Sequence, residues 1–241
     1  MRSEEEILLV YCRQRWQYVV VSQAEFESIA RGGEFPARHL HHLRKARRLR
    51  GDLSLLLSNG EGELAEATLL AHAREANILR REKISPRASK VSLYQAVIHP
   101  SKLEILVAKA TELGVDEICL YWADFSQKYS LKKPRLEAIV ENAQMQAWNL
   151  FRPRLTILDA KLKDISFPQA ATVFYGDWEK SEVFVPPNSW AIFVNGPEGG
   201  FSRTELAHLK KSGRPLNLSK HVLRSETAAI CAVYALKALT P

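Results

Sequence analysis

The sequence has few cysteines and no long apolar run. Three cysteines occur among 241 residues, at positions 12, 119 and 231, and no Cys-x-x-Cys pair is present. Cysteines so far apart predict neither a disulfide framework nor a thiolate metal site. The apolar runs are far shorter than the roughly 20 residues that a membrane-spanning helix needs. We therefore expect no membrane span.

The first six residues also lack the features of a secretion signal. They contain three glutamates, and no apolar block follows the basic residue at position 2. A signal peptide needs a basic start followed by such a block. The sequence therefore predicts a cytoplasmic protein.

Acidic residues are outnumbered by basic ones, 27 to 34, which gives a formal net charge of +7. The excess is concentrated in residues 38–50, which hold six arginines and lysines, three histidines and no acid. Such a run fits either contact with a nucleic-acid backbone or a solvated surface. The candidate RNA contacts in it are Arg38, His41, His42, Arg44, Lys45, Arg47 and Arg48. The histidines have no cysteine or carboxylate close by in sequence, so we expect no metal.

The first 80 residues or so look β-rich. Aromatic and β-branched residues predict a strand over residues 16–21, and strands over 53–57 and 63–70 flank a Gly-rich hairpin loop. The basic run carries leucines at roughly helical spacing and predicts a short helix. Residues 74–90 are charged and lack a strong period. We place a domain boundary there, with domains 1–83 and 84–241.

Strands and helices alternate from residue 91 onwards, which predicts an α/β domain. The strands expected from apolar runs are 91–98, 115–121, 171–175, 191–194 and 216–218. Helices are expected to start at a Ser101–Glu104 capping box, at Pro134, at a Ser202–Glu205 capping box and at a Ser225 cap. Gly114 and Gly213 are the expected stops of the first and third helices, and the second should reach about Leu150.

Two late segments fall where α/β proteins bind ligands, just after a strand and before a helix. Residues 195–201 contain three glycines and a proline, so they fit a ligand-binding loop or a tight turn. Residues 222–229 offer amides and hydroxyls at a helix start, so they fit a carboxylate or phosphate site or an ordinary cap. The spacing alone leaves both alternatives open.

Four segments together resemble the ribosomal RNA small subunit methyltransferase E family of the SPOUT superfamily. They occur in the family's order, at residues 41–52, 109–118, 196–202 and 223–229. The resemblance implies an N-terminal PUA-like β-barrel that binds RNA and a C-terminal α/β domain with a trefoil knot. It also implies a homodimer that uses S-adenosyl-L-methionine to methylate N3 of a uridine in the RNA of the small ribosomal subunit.

The resemblance also implies site residues. Arg224 is the candidate for stabilising negative charge, and Glu198 and Glu226 are candidates for assisting deprotonation or for holding the loops. Candidate cofactor contacts are Tyr175, Asn195, Gly196, Pro197, Glu198, Gly199, Gly200, Leu218, Leu223, Ser225 and Thr227. Gln146, Asn149 and Arg152 complete the candidate RNA contacts.

The sequence departs from the family pattern at two places. Asn149 stands where the family has an arginine, and residues 219–221 read Ser-Lys-His where the family has a Gly-Pro-Arg-like turn. The changed segment that ends at Asn149 supports one alternative, an RNA-binding or ribosome-assembly protein that has lost catalysis. A second alternative is a methyltransferase that acts on another RNA, such as transfer RNA, as the resemblance to related knotted enzymes implies.

Overall fold

A computed structural model describes residues 4–14, 16–41, 43, 51–71, 74–177 and 189–240. The α-helices are α1 (Glu4–Arg13), α2 (Gln23–Ala30), α3 (Ala37–His41), α4 (Pro100–Glu112), α5 (Lys133–Ala147), α6 (Arg203–Ser212) and α7 (Ser225–Leu239). The strands are β1 (Gln17–Val20), β2 (Leu53–Ser58), β3 (Glu63–Leu69), β4 (Ala76–Lys83), β5 (Lys90–Ala96), β6 (Glu117–Trp122), β7 (Arg154–Lys161), β8 (Ala171–Gly176), β9 (Trp190–Asn195) and β10 (Arg214–Leu216). No helix in the described ranges is both long enough and apolar enough to cross a membrane.

The chain divides into two compact units. The N-terminal unit comprises Met1–Pro86 and Gln144–Arg152, and the C-terminal unit comprises Arg87–Ala143 and Pro153–Pro241. The sequence pattern gave no sign that a segment after residue 143 packs with the first 86 residues. Leu150 explains the packing, because this apolar side chain is fully buried against the N-terminal unit's own core.

The N-terminal unit contains a four-stranded sheet in the order β1-β2-β3-β4. β1 pairs parallel with β2, and the other two pairings are antiparallel. The hairpin expected between residues 53 and 70 is confirmed, with Gly60 and Gly62 at positive φ in its turn. Among the described residues the sheet is open, because β1 and β4 do not pair with each other. The structure therefore does not establish the expected barrel.

Three elements of the N-terminal unit were not expected from the sequence. The helices α1 and α2 precede and follow β1, and β4 lies inside the charged stretch in which we placed the domain boundary. β4 was not expected because it is an edge strand, most of whose side chains are exposed. An edge strand with charges on its surface shows little apolar alternation.

The C-terminal unit is built on six parallel strands in the order β10-β8-β9-β5-β6-β7. Helices α4, α5 and α7 pack on one core, and α6 contributes Leu209 to a second core. The α/β fold expected from the strand–helix alternation is confirmed. β5 lies beside β9, and the chain leaves these two central strands in opposite directions across the sheet. A crevice at their carboxyl ends is where such sheets bind ligands.

Three of the four predicted helix starts differ from the structure. α5 begins at Lys133, one residue before the predicted Pro134. α4 is capped by His99 and begins at Pro100, because proline at the first helical position already has a helical φ. α7 begins at Ser225, and its cap is the backbone of Arg224. The capping box of Ser202 is confirmed.

Smaller differences concern the ends of elements. The stops at Gly114 and Gly213 are confirmed, and α5 ends at Ala147, three residues before the expected end. β10 lies two residues before the expected strand, and β7 was not predicted at all. β7 borders the sheet and is mostly half-buried, so it lacks the continuous apolar run of a central strand.

Candidate active site

The two late segments meet at the carboxyl edge of the parallel sheet. The side-chain amide of Asn195, the last residue of β9, donates to the carbonyl oxygen of Ser225 over 2.9 Å and lies 3.0 Å from its hydroxyl. The Ser225 hydroxyl donates in turn to the carbonyl oxygen of Gly196 over 2.6 Å. Residues 195–196 and the start of α7 are therefore joined directly, although 29 positions separate them in the chain.

Gln95, near the end of β5, completes this buried polar network. Its side-chain oxygen accepts from the Asn195 amide over 2.8 Å, and its own amide donates to the carbonyl of Ala96 over 2.7 Å. Tyr121 on β6 donates to the carbonyl oxygen of Asn195 over 2.9 Å. The carboxyl ends of three neighbouring strands are thus held together by uncharged groups. Buried networks of this kind hold backbone positions firmly when every group is paired.

The glycine-bearing loop presents its backbone outwards. Pro197 is buried, and its carbonyl oxygen accepts from the Gly200 amide over 3.0 Å, which closes a turn. Gly200 has φ of +74°, and a Cβ placed on it would meet no heavy atom within 4 Å. A Cβ on Gly199 would lie 3.1 Å from the Cβ of Phe125. Gly200 therefore combines positive φ with open space, the conditions for close approach of a ligand to backbone, whereas Gly199 is packed against Phe125.

Glu198 ties this loop to the start of α4. One of its carboxylate oxygens lies 3.1 Å from the Lys102 ammonium and accepts from the His99 amide over 3.4 Å. Burial alone would raise the pKa of Glu198, but its own backbone amide, Lys102 and the His99 amide outweigh burial and lower it. A lowered pKa makes a carboxylate a weak base. The geometry favours the structural alternative for Glu198.

Arg224 and Glu226 flank Ser225 and differ in exposure. Arg224 is exposed, and no acceptor for its guanidinium is found among the described residues. One carboxylate oxygen of Glu226 is buried and has no hydrogen-bond partner in the described ranges. A buried oxygen without a partner is costly unless a ligand or water supplies a donor. Among the described residues, the start of α7 therefore offers a cation without an acceptor, on the N-cap residue Arg224, and a carboxylate oxygen without a donor, on Glu226.

The other predicted cofactor residues lie in varied surroundings. Leu218 packs partly buried against the core shared by α4, α5 and α7, and Leu223 is half-buried. Thr227 is exposed in the first turn of α7, whereas Tyr175 is buried in β8 with 1% of its surface exposed. Contact of these four residues with a cofactor stays a prediction.

A family model described as an RNA methyltransferase domain matches residues 85–237, more than half of the chain. A ribosomal RNA small subunit methyltransferase E from Mesomycoplasma hyopneumoniae is 31% identical over 183 residues, which cover 70% of this chain and 79% of that relative. The chain belongs to the ribosomal RNA small subunit methyltransferase E family. The resemblance inferred from the motifs is thereby confirmed at the level of the family.

Two further comparisons agree with that membership. A protein of the same name from Rickettsia conorii is 30% identical over 210 residues, which cover 81% of this chain and 84% of that relative. The crystal structure of a ribosomal RNA small subunit methyltransferase E from Neisseria gonorrhoeae, bound to S-adenosyl methionine, shares the fold with a TM-score of 0.77. The two sequences are 22% identical, and the structural alignment covers 93% of this chain and 97% of the Neisseria gonorrhoeae chain.

Gln95 and Tyr121 are site residues of this family member that the sequence analysis missed. Gln95 carried a signal, since it is the one long polar side chain in an otherwise apolar strand ending. A fully buried amide must find partners, so it marks a place where the chain comes together. Tyr121 carried no such signal, because tyrosine is common in buried strands.

Half of the predicted RNA contacts lie outside the described residues: His42, Arg44, Lys45, Arg47 and Arg48. Of the remainder in the N-terminal unit, His41 is exposed, whereas Arg38 donates to the Glu25 carboxylate over 2.8 Å. RNA binding by this region stays a prediction.

The predicted contacts between residues 144 and 152 also have structural uses. The carbonyl oxygen of Asn149 accepts from the Tyr18 hydroxyl over 2.9 Å, and its side chain accepts from the Phe151 amide over 3.0 Å. Gln146 and Arg152 are exposed, and the Arg152 amide donates to the carbonyl of Gly60. Asn149 therefore shapes a turn of the N-terminal unit, which accounts for an asparagine at this departure from the family pattern.

Within the described ranges, no three histidine, cysteine, aspartate or glutamate residues are grouped closely enough to hold a metal ion. Cys119 is buried, and burial raises the pKa of its thiol to about 12. Thiolate chemistry at Cys119 is therefore disfavoured near neutral pH.

Proposed function

We propose that this protein transfers a methyl group from S-adenosyl-L-methionine to N3 of a uridine in the RNA of the small ribosomal subunit. The observation that carries the proposal is the direct contact of Asn195 and Gly196 with Ser225 at the carboxyl edge of the sheet. This contact makes one cleft wall from the two segments expected to hold the cofactor. The names of the relatives from Mesomycoplasma hyopneumoniae and Rickettsia conorii supply the substrate class.

The residues of the cleft fit the methyl donor. The open space at Gly200 leaves room for a nucleoside, and the carbonyl of Gly196 is an acceptor near that loop. The unsatisfied carboxylate oxygen of Glu226 is suited to a ligand donor such as an amino or hydroxyl group. The cofactor-bound relative from Neisseria gonorrhoeae shares the fold that positions these segments.

The chemistry assigns a distinct task to each charged residue. The bound cofactor supplies a methyl group already activated by its sulfonium, so the new bond is from N3 to carbon and the broken bond is from carbon to sulfur. N3 of uridine carries a proton that must leave before the nitrogen is a good nucleophile. The proton passes to solvent, and Arg224 stabilises the negative charge that develops on the base as it leaves. Glu198, with its lowered pKa, holds the loop against α4.

The proposal extends to the architecture of the molecule. We assign the N-terminal unit as a PUA-like domain that binds RNA and the C-terminal unit as a SPOUT domain whose late segments form a trefoil knot. Membership of the family supports the knot, because the resemblance to that family implies it. We also assign a cytoplasmic homodimer. Exposed Tyr234 and Leu239 on α7 support the dimer as apolar surface that a second copy would cover.

The decisive experiment compares small-subunit ribosomal RNA from wild-type and deletion strains by mass mapping. We expect one uridine to lose a methyl group in the deletion strain and to regain it when the gene is restored. Unchanged ribosomal RNA combined with altered transfer RNA would move the substrate to transfer RNA. Titration calorimetry with S-adenosyl-L-methionine is the companion measurement, and absence of binding to the purified protein would favour an RNA-binding protein without catalysis.

A further inference from the structure

Phe125 is an exposed aromatic residue beside the glycine-bearing loop. It follows the carboxyl end of β6, and 55% of its surface is exposed. Its Cβ lies against Gly199, where an added methyl group would approach to 3.1 Å. The described residues thus leave a large apolar ring uncovered at the edge of the candidate active site.

Both neighbours of this ring are fixed. The carboxylate of Asp124 accepts from the Ser202 hydroxyl over 2.7 Å and from the Lys161 ammonium over 3.1 Å. The hydroxyl of Ser126 donates to the carbonyl of Val97 over 2.9 Å, just beyond β5. These contacts hold the backbone of Phe125 in place, so only its side chain remains to be ordered when the ring meets a ligand.

The segment that follows Phe125 in the chain is basic. Residues 125–136 contain four cations, Lys128, Lys132, Lys133 and Arg135, and no acid. Lys133 and Arg135 pair with Glu137 and Glu104. Lys128 and Lys132 are exposed, and neither has an acidic partner in the part of the chain that the structure describes. The positive charge of Lys128 and Lys132 is therefore available to a polyanion.

We infer that Phe125 stacks on the base that receives the methyl group and that Lys128 and Lys132 bind the phosphates beside it. The inference rests on the proposed function and names how its substrate is held. An enzyme that modifies a base must take it out of its stack, and an aromatic side chain restores part of the lost stacking. The lone pair of a deprotonated ring nitrogen lies in the plane of the base. A stacked ring fixes that plane while leaving the nitrogen open to the methyl donor.

The first test compares Phe125→Ala and Phe125→Trp with wild type in methyl transfer to small-subunit RNA from the deletion strain. For Phe125→Ala we expect kcat/KM to fall by roughly 10- to 100-fold, in line with the loss of one stacked base. Phe125→Trp should restore most of it. The affinity for S-adenosyl-L-methionine should stay at its wild-type value in both variants. Ile105→Ala is the matched control, because Ile105 is equally exposed and lies on the surface of α4.

Four results would overturn the inference. These are unchanged kcat/KM in Phe125→Ala, an equal loss in the Ile105 control, a loss confined to cofactor affinity, and a Phe125→Ala variant whose loss follows from a changed oligomeric state. In each case wild-type enzyme that still methylates the RNA leaves the proposed function standing. The two ideas are therefore separable.

Photocross-linking provides a readout besides activity. Wild-type protein is irradiated with a fragment of the same RNA that carries 5-iodouridine, and the cross-linked peptide is sequenced by mass spectrometry. We expect the cross-link at Phe125, because 5-iodouridine reacts with an aromatic ring stacked on it. Cross-links confined to other peptides would contradict the stacking contact. A cross-link at Phe125 without methyl transfer would keep the contact and remove the proposed function.

The proposed phosphate contacts of Lys128 and Lys132 are tested separately, by RNA binding at different salt concentrations. Replacing Lys128 and Lys132 together with Ala should weaken binding of the RNA fragment and reduce the slope of affinity against salt by about one to two counterions. Lys109→Ala should leave the slope unchanged, because Lys109 already pairs with Glu112 on α4 over 2.8 Å. An unchanged slope in the double variant would show that these lysines do not contact phosphate.

Discussion

In the C-terminal unit, Gln95, Asn195 and Ser225 hydrogen-bond to one another inside the protein, whereas in the N-terminal unit Arg38 and Glu25 pair at the surface. The first set is uncharged and has less than a tenth of its surface exposed. In the second, 52% of the Arg38 side chain and 29% of the Glu25 side chain are exposed. The polar groups of the buried network are shielded from water, whereas Arg38 and Glu25 remain in contact with water.

This difference sets the expected sensitivity of each region to substitution. A buried polar group that loses its partner costs about 1–3 kcal/mol, whereas an exposed ion pair contributes about 0–1 kcal/mol. Substitutions in the buried network should therefore lower the free energy of unfolding and the affinity for the cofactor. Substitutions of exposed charges should mainly lower the affinity for a polyanion. Four substitutions, taken from the largest expected effect to the smallest, test this contrast.

Asn195→Leu should have the largest effect. It removes the donor to Gln95 and Ser225 and leaves two buried acceptors short of a partner, so we expect a loss of about 3 kcal/mol in the free energy of unfolding. Binding of S-adenosyl-L-methionine should fall with it. Urea denaturation and calorimetry measure the two losses. Asn77→Leu on the exposed side of β4 is the control, and a similar loss there would erase the contrast.

Arg224→Ala should come next. We expect kcat to fall by about 100-fold, as when one group that stabilises a developing anion is removed. Cofactor affinity should change much less, because the guanidinium is exposed and acts on the base. Single-turnover rates and calorimetry separate the two quantities, with Lys211→Ala as an exposed control on α6. Equal losses in turnover and cofactor affinity would rule out the assigned role.

Replacing Arg44, Lys45, Arg47 and Arg48 together with Ala tests the predicted basic run of the N-terminal unit. Affinity for small-subunit RNA should fall by about 10-fold or more, and its dependence on salt should become shallower, since fewer counterions are released on binding. Filter binding over a series of salt concentrations measures both. A slope equal to that of wild type would assign the run to a passive surface.

Glu25→Gln should have the smallest effect and a defined pH dependence. Hydrogen bonding to Arg38 is the main reason that the pKa of Glu25 is lowered to about 2. The stabilisation is therefore present above the usual pKa near 4.5 and is lost as the pH falls towards 2. Because the pair is exposed, we expect a cost of at most about 1 kcal/mol at pH 7 that shrinks below pH 4. A cost that grows with acid would contradict this assignment.

The sequence by itself determined the features that depend on near neighbours. The hairpin around Gly60 and Gly62, the capping box at Ser202 and the stop at Gly213 follow from the conformations that a few adjacent residues favour. The α/β alternation and the family motifs were readable for the same reason. The glycine loop was recognised because three glycines and a proline are unusual in a short turn.

Only the tertiary structure decided which distant groups meet. Ser225 was expected to cap its own helix, but Asn195 and the Gly196 carbonyl engage its side chain instead. Edge strand β4 and the packing of Leu150 were hidden because their environment is set by remote parts of the chain. Hydrogen bonds between residues far apart leave no local pattern. Folding alone brings Gln95, Asn195 and Ser225 together at one edge of the sheet.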